Sequence, residues 1–289
     1  MSKLGSISVG NSNPVRIMGI LNLSPESFFK KSIVTEKEMI ANKTREIGAE
    51  GADFIDVGGM STAPYLKTTI PQKIESERIT RAIKIIQSIS NLPISVDTCR
   101  SEVAKDALEL GVEIINDISG LKYDKEMPRV VEKYDPSLVL CAFSKNLVKG
   151  NQIIQTRNLL RESIAIAKSA HISDNHIVVD PAIGFFRKKG KGKFFTRINS
   201  DWVKRDLLIL NNLHSIKLKH PLLVSVSRKS FIGNLLQIKN PNDRLYGSLA
   251  AESIAVLNGA DIIRTHNVQE TKQVIAIAQK LSHRFRKGL

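Results

Sequence analysis

The chain has 289 residues, 42% hydrophobic and 25% charged, which allows one large packed domain and excludes a fibrous or disordered chain. Its 43 Lys and Arg against 28 Asp and Glu leave a formal net charge of +15, which attracts anions such as phosphorylated metabolites. No nucleic-acid module or aromatic-interleaved basic groove accompanies that charge, two cysteines (Cys99 and Cys141) are too few for a secreted disulfide scaffold, and no apolar leader or membrane-length apolar run is present, so a cytoplasmic protein without nucleic-acid or membrane partners is expected.

Residues 1–15 are expected to form a small cap or hairpin, and residues 16–289 one folded unit. Short Ile-, Val- and Leu-rich runs then alternate with amphipathic segments. Strand Arg16–Leu21 precedes helix Glu36–Glu50, and Phe54–Val57 precedes Gln72–Ser88. Pro93–Val96 precedes Ser101–Leu110, where Ser101 reads as an N-cap and Gly111 as the stop. Glu113–Ile115 precedes Met127–Tyr134, Leu138–Cys141 precedes Leu159–Ala170, and Ile177–Val179 precedes Asp201–Leu213. Leu222–Val226 precedes Gly247–Leu257, and Asp261–Ile263 precedes Gln269–Leu281. Gly48, Gly51 and Gly259 read as connections between a helix and the next strand. The stretch 185–200, FFRKKGKGKFFTRINS, is polar and glycine-rich and reads as a mobile loop.

Strands this apolar are buried on both faces, with helices outside. A doubly wound sheet would show a glycine-rich fingerprint after its first strand. Here Leu21-Asn22-Leu23-Ser24-Pro25 follows instead. The expected fold is therefore an α/β, single-domain (β/α)8 TIM barrel, with the 1–15 cap at its bottom.

Such barrels build their sites at the C-terminal strand ends. Those ends carry Asn22, then Asp56, Asp97, Asn116 with Asp117, and Asp180. Ser227, Arg228 and Lys229 follow at the seventh, and Arg264 and His266 at the eighth. Only the fifth ends blandly, in Cys141-Ala142-Phe143. A carboxylate accepts two parallel hydrogen bonds from an amino-pyrimidinone edge. The set Arg228, Arg264 and His266 suits a phosphate or diphosphate, and the Asn22 amide oxygen suits a hard cation such as Mg2+. Cys99 has no histidine nearby in sequence and reads as packing.

Eight runs resemble the dihydropteroate synthase family in the same order: MGILNLSPESF at 18–28, FIDVGGMSTAP at 54–64, ISVDTCR at 94–100, IINDISG at 114–120, VVDPAIGFFRK at 178–188, LLVSVSRKSFIG at 222–233, DRLYGSLA at 243–250 and DIIRTHNVQET at 261–271. The resemblance runs from about residue 16 to 281. It implies a transferase that joins 6-hydroxymethyl-7,8-dihydropterin diphosphate to 4-aminobenzoate with loss of diphosphate, in folate biosynthesis. It implies pterin contacts from Asp97, Asn116, Asp180, Ser227, Arg228 and Lys229, with Lys229, Asp97, Asp180, Arg264 and His266 catalytic. Asn22, Asp56, Arg264 and His266 would hold diphosphate, with Asn22 on Mg2+, and Thr62, Pro64, Phe185 and Ser230 would line the arylamine. A homodimer is implied on the same basis.

The loops depart from the family. Where the family reads SFSDGG, residues 27–32 read SFFKKS, and where it reads GGESTRPG, residues 58–65 read GGMSTAPY. Ala182 and Phe186 stand where the family has glycine. Lys30, Lys31 and the cations Arg187, Lys188, Lys189, Lys191, Lys193 and Arg197 could meet a phosphate on a larger arylamine. The alternatives are therefore the same chemistry on a phosphorylated ribofuranosyl-aminobenzene, a pterin-dependent corrinoid methyltransferase, and a non-catalytic pterin-binding barrel.

Overall fold

A computed structural model describes residues 1–10, 12–27, 29, 31, 33–66 and 68–282. Strands β1 (Lys3–Leu4) and β2 (Ile7–Ser8) pair as an antiparallel hairpin. The barrel strands are β3 (Arg16–Asn22), β4 (Phe54–Gly58), β5 (Ile94–Asp97), β6 (Ile114–Asp117), β7 (Ser137–Cys141) and β8 (Ile177–Asp180). After the short parallel pair β9 (Phe186–Arg187) and β10 (Thr196–Arg197) come β11 (Leu223–Val224) and β12 (Ile262–Thr265). The eight barrel strands are hydrogen-bonded in the order β11-β12-β3-β4-β5-β6-β7-β8, and a parallel bridge from Val179 to Leu222 closes the ring.

The helices between them are α1 (Lys37–Ala49), α2 (Gln72–Gln87), α3 (Ser101–Glu109), α4 (Met127–Tyr134) and α5 (Gln152–Ser169). Next come α6 (Trp202–Asn211), the single-turn α7 (Leu213–Ile216), α8 (Ser230–Leu235), α9 (Leu245–Leu257) and α10 (Val268–Leu281). Helix α5 starts at Gln152, before the expected Leu159, because Asn151 Oδ1 accepts the Ile153 and Ile154 N–H groups as an N-cap. Ser101 is the first residue of α3 and not its cap; Asp124 Oδ2 takes the Ser101 N–H at 2.8 Å instead. Gly48 lies inside α1, whereas Gly51 and Gly259 stand between helix and strand. Among the described residues no helix is long and apolar enough to cross a membrane.

The two-residue period of a strand divides the side chains into two sets. Ile55, Val57, Val96, Ile115, Leu138, Leu140, Val179, Val224 and Ile263 pack outward against the helices. Met18, Phe54, Ile114, Val139, Val178, Leu223 and Ile262 point inward as the bottom layer, where Leu4 and Val9 of the hairpin plug them. Two residues further along β4, β6, β8 and β12, the same inward face carries Asp56, Asn116, Asp180 and Arg264. On these four strands the barrel interior turns from apolar to polar within one layer. The site sits on that second layer.

The expected mobile loop at 185–200 is corrected. Phe186, Phe194 and Ile198 are buried, Thr196 and Ile198 N–H groups bond to the Phe185 and Arg187 carbonyls, and Lys191 and Gly192 donate to the Pro64 carbonyl. Its aromatic residues fold back into the core, which composition alone conceals.

Candidate active site

The centre of the site is an ion cluster. Arg264 Nε donates to Asp56 Oδ2 at 2.6 Å and Nη2 to Asp97 Oδ2 at 2.8 Å. Burial opposes the Arg264 charge, but the Asp56 and Asp97 carboxylates outweigh it and raise the guanidinium's pKa further. For Asp97, burial dominates over the attraction of Arg264, and with the Asp56 charge beside it the carboxyl is pushed up to about 7.

Asn22, Asp97, Ser227, Lys229, Ser230, Arg264 and His266 line one cavity together with Thr62, Pro64 and Phe185. Asn116 and Asp180 are buried and do not line it. Asn116 faces Asp97 across the β5–β6 register and donates from Nδ2 to Asp56 Oδ1 at 3.4 Å. Asp180 Oδ1 accepts the Ala182 N–H at 2.7 Å. Burial raises Asp180 and lowers Lys229 to about 8, while each acts on the other to keep its charge.

A strained turn aims Lys229. Arg228 has φ +59°, a left-handed conformation that costs a non-glycine residue about 1–2 kcal/mol. The surroundings enforce it. Arg228 N–H donates to Ser248 Oγ at 2.8 Å, and its guanidinium donates to Asn267 Oδ1 and to the Asn242 carbonyl. The chain reverses there, so Arg228 points to the rim and Lys229 into the cavity. Lys229 Nζ donates to the Ile183 carbonyl at 2.6 Å and lies 4.1 Å from the Phe185 ring centre. Gly184 leaves the passage open: it has φ +88°, and a Cβ there would stand 2.6 Å from Lys229 Cδ. Ala182 adopts φ +55° without that freedom, so the family's glycine there answers a backbone need.

Three expectations are corrected. Asp56 is fully buried, with Ser95, Asn116 and Arg264 on its oxygens, so it anchors Arg264 and cannot reach a diphosphate. Arg228 does not line the cavity, because its guanidinium is spent on Asn267 and the 241–242 backbone. His266 is not a cation: burial first, then Arg264 and Arg228, hold its pKa well below the ordinary value. Its Nδ1 lies 3.1 Å from Ser227 Oγ, and the Phe29 ring meets it edge-on at 5.0 Å.

The basic-loop expectation divides. Lys30 lies outside the described residues. Lys31, Lys188, Lys189, Lys191, Lys193 and Arg197 are exposed and do not line the cavity. Arg187 is buried, against expectation, because its guanidinium stacks 3.7 Å above the Trp202 ring and donates to Ser230 Oγ. Met60 and Ala63, which stand at the departures in the second loop, are buried apolar walls of the cavity.

Sequence reading missed Glu252. This buried carboxylate accepts from Thr271 Oγ1 at 2.8 Å, and Thr271, Thr265, Ser227 and His266 continue the chain to the cavity. Burial raises it to about 7. A lone acid in the apolar run LYGSLAAESIAVL was the available signal.

Among the described residues no cluster of His, Cys, Asp or Glu is placed to hold a metal ion. Asn22 presents an amide oxygen, already accepting the Ser24 N–H at 3.0 Å, at the cavity wall. That donor set fits a hard cation that arrives with oxygen ligands of its own, such as one carried on a diphosphate.

Residues 18–266 match the model of a family described as pterin binding enzyme. A dihydropteroate synthase of Clostridium beijerinckii is 35% identical over 94% of this chain and 96% of its own length. Two solved structures are similar throughout. One is a dihydropteroate synthase from Clostridium difficile in the presence of pteroic acid, with TM-score 0.82 and 30% identity over 94% of this chain and 98% of that one. The other is that of Xanthomonas albilineans with 4-aminobenzoic acid, with TM-score 0.80 and 29% identity over 93% of this chain and 94% of that one.

Proposed function

Because the chain belongs to the pterin-binding enzyme family, with dihydropteroate synthases as its relatives, we infer that it is a dihydropteroate-synthase-type transferase of folate biosynthesis. It condenses 6-hydroxymethyl-7,8-dihydropterin diphosphate with 4-aminobenzoate. The observation that carries the reading is the convergence of Asp97, Lys229 and Arg264 with Asn22 and His266 on one cavity.

In this reading the Asp97 carboxylate takes the N–H and amino edge of the pterin, with Ser227 and Lys229 at its side. Arg264, neutral His266 and Asn22 face the diphosphate. Arg228 acts from the rim by holding the turn that aims Lys229. Mg2+ would be held by Asn22 and the diphosphate oxygens, and when bound it neutralises charge on the leaving group. Arg264 supplies a fixed positive charge where the C–O bond to the pterin methylene breaks and diphosphate takes the electron pair. The arylamine, held by Thr62, Pro64, Phe185 and Ser230, then forms the new C–N bond and loses a proton from nitrogen. Positioning supplies much of the barrier reduction, so no protein nucleophile is needed.

Mixing protein, magnesium and the pterin diphosphate with 4-aminobenzoate is expected to release diphosphate. Magnesium is expected to tighten binding of the diphosphate substrate far more than that of plain hydroxymethyl-dihydropterin. Binding without release on 4-aminobenzoate would leave only a pterin-binding barrel, and faster release with a phosphorylated arylamine would move the assignment to a related cofactor pathway.

The same reading carries a cytoplasmic location and a homodimer. Leu235, Tyr246, Ile254 and Leu257 are exposed on α8 and α9, as is Leu236 just past α8, and the two helices meet where Gly247 faces Ile232. Light scattering at micromolar concentration is expected to give a dimeric mass, and a monomeric mass would overturn this.

A further inference from the structure

We propose that Arg187 is a positioning residue for the second substrate: it fixes the Ser230 hydroxyl as a donor into the cavity, so that the site selects arylamines carrying an oxyanion over neutral ones. This rests on the transferase reading above.

Arg187 Nη2 donates to Ser230 Oγ at 2.6 Å. A guanidinium has only donors, so Ser230 Oγ is the acceptor in that contact, and its single O–H is left to point elsewhere. Among the described residues no acceptor takes that O–H, and Ser230 lines the main cavity and the groove that continues past Tyr65. A ligand in the cavity is therefore offered a donor whose direction the protein has already set.

The guanidinium cannot swing away. Nη1 donates to the Phe186 carbonyl at 2.9 Å, Trp202 stacks beneath at 3.7 Å, and Asp206 lies 3.7 Å off. Asp206 does not neutralise it alone, because Arg205 also holds that carboxylate, at 3.1 Å. A hydroxyl that accepts from a guanidinium is polarised as a donor, and a hydrogen bond to a charged acceptor is stronger than one to a neutral acceptor, so an arylamine with a carboxylate at its far end gains more from Ser230 than a neutral one. The loop arginine of the family is Ala63 here, so the second loop contributes no charge at that position.

The test compares 4-aminobenzoate with its neutral ethyl ester in the whole protein, by steady-state turnover and by calorimetric binding to protein saturated with hydroxymethyl-pterin and diphosphate. Arg187→Met keeps the stack on Trp202 but removes the donor. It is expected to raise KM for the acid by roughly 10- to 100-fold, the loss of one charge-assisted contact, with kcat changed far less and the ester unaffected. Arg187→Lys is expected to restore part of the acid preference. Ser230→Ala alone is expected to lose the preference too, and the double variant to be no worse than either single one, since both act through one hydroxyl. An unchanged acid-to-ester ratio in Arg187→Met, or full additivity with Ser230→Ala, overturns the proposal while leaving the transferase reading intact. Should the unaltered protein turn over neither amine, the transferase reading fails, and the acid-to-ester binding ratio still decides the role of Arg187.

Discussion

Arg264→Met is expected to lower kcat/KM by about 100- to 1000-fold, the usual cost of one fixed donor at a developing anion, and to destabilise the protein as well. The two losses share a cause. Arg264 is the ion-pair partner of both Asp56 and Asp97, at 2.6 and 2.8 Å. Removing one member of a buried pair costs about 3–5 kcal/mol, because the remaining charge stays desolvated. Asp97 is already raised to about 7 by burial, and it loses its main lowering influence with Arg264. A carboxyl whose folded pKa lies above its unfolded pKa binds more protons folded than unfolded. The penalty is absent below about pH 4, where both states are protonated, and grows as pH rises toward the folded pKa. Melting curves at pH 5 and pH 8 are therefore expected to show a larger deficit at pH 8. An equal deficit at both, or kcat/KM within tenfold of the unaltered protein, would show that the cluster neither holds nor uses the charge in this way.

The barrel was legible in sequence because its signal is local. Strands such as Ile177–Asp180 and Ile114–Asp117 are short apolar runs that end in a polar residue, and that ending marks the top of each strand. The depth of each polar side chain was not legible. Asp56 and Asp97 read alike at strand ends, yet Asp56 lies one layer lower and is sealed by Ser95 and Arg264. Arg187 and Lys188 are neighbours in a basic run, but Arg187 ends β9 with its guanidinium stacked on Trp202, while Lys188 lies past the strand in water. The charge of His266 was misread for a similar reason. Composition supplies an imidazole, while its protonation follows first from burial and then from Arg264 and Arg228, and the burial and the approach of Arg228 come only with the closed barrel.

Asp97→Asn is expected to weaken binding of the pterin diphosphate about 100-fold or more with little change in melting temperature. The argument starts from what each oxygen does. Asp97 Oδ2 accepts from Arg264 Nη2 at 2.8 Å, and among the described residues nothing bonds to Oδ1, although the side chain lines the cavity. An amino-pyrimidinone edge presents adjacent N–H donors. Hydrogen bonds to a charged acceptor contribute about 1.5–3 kcal/mol each. Asparagine keeps the shape but offers one acceptor and one amide donor, so a donor faces a donor, and the charge assistance is gone. The fold tolerates the change because Arg264 retains Asp56, and because replacing a carboxyl raised by burial with a neutral amide removes a desolvation penalty. The pH dependence separates this from a general loss of fit. With Asp97 at about 7, the acceptor form becomes populated as pH rises from 6 to 8, so pterin affinity of the unaltered protein is expected to rise over that range and then level off. Asp97→Asn has no such carboxyl, and its residual affinity is expected to stay flat. Calorimetric titration at pH 6, 7 and 8, with melting curves alongside, measures both. Full affinity in a folded Asp97→Asn protein, or the same pH slope in both proteins, would remove Asp97 from the pterin site and leave its pairing with Arg264 as its whole role.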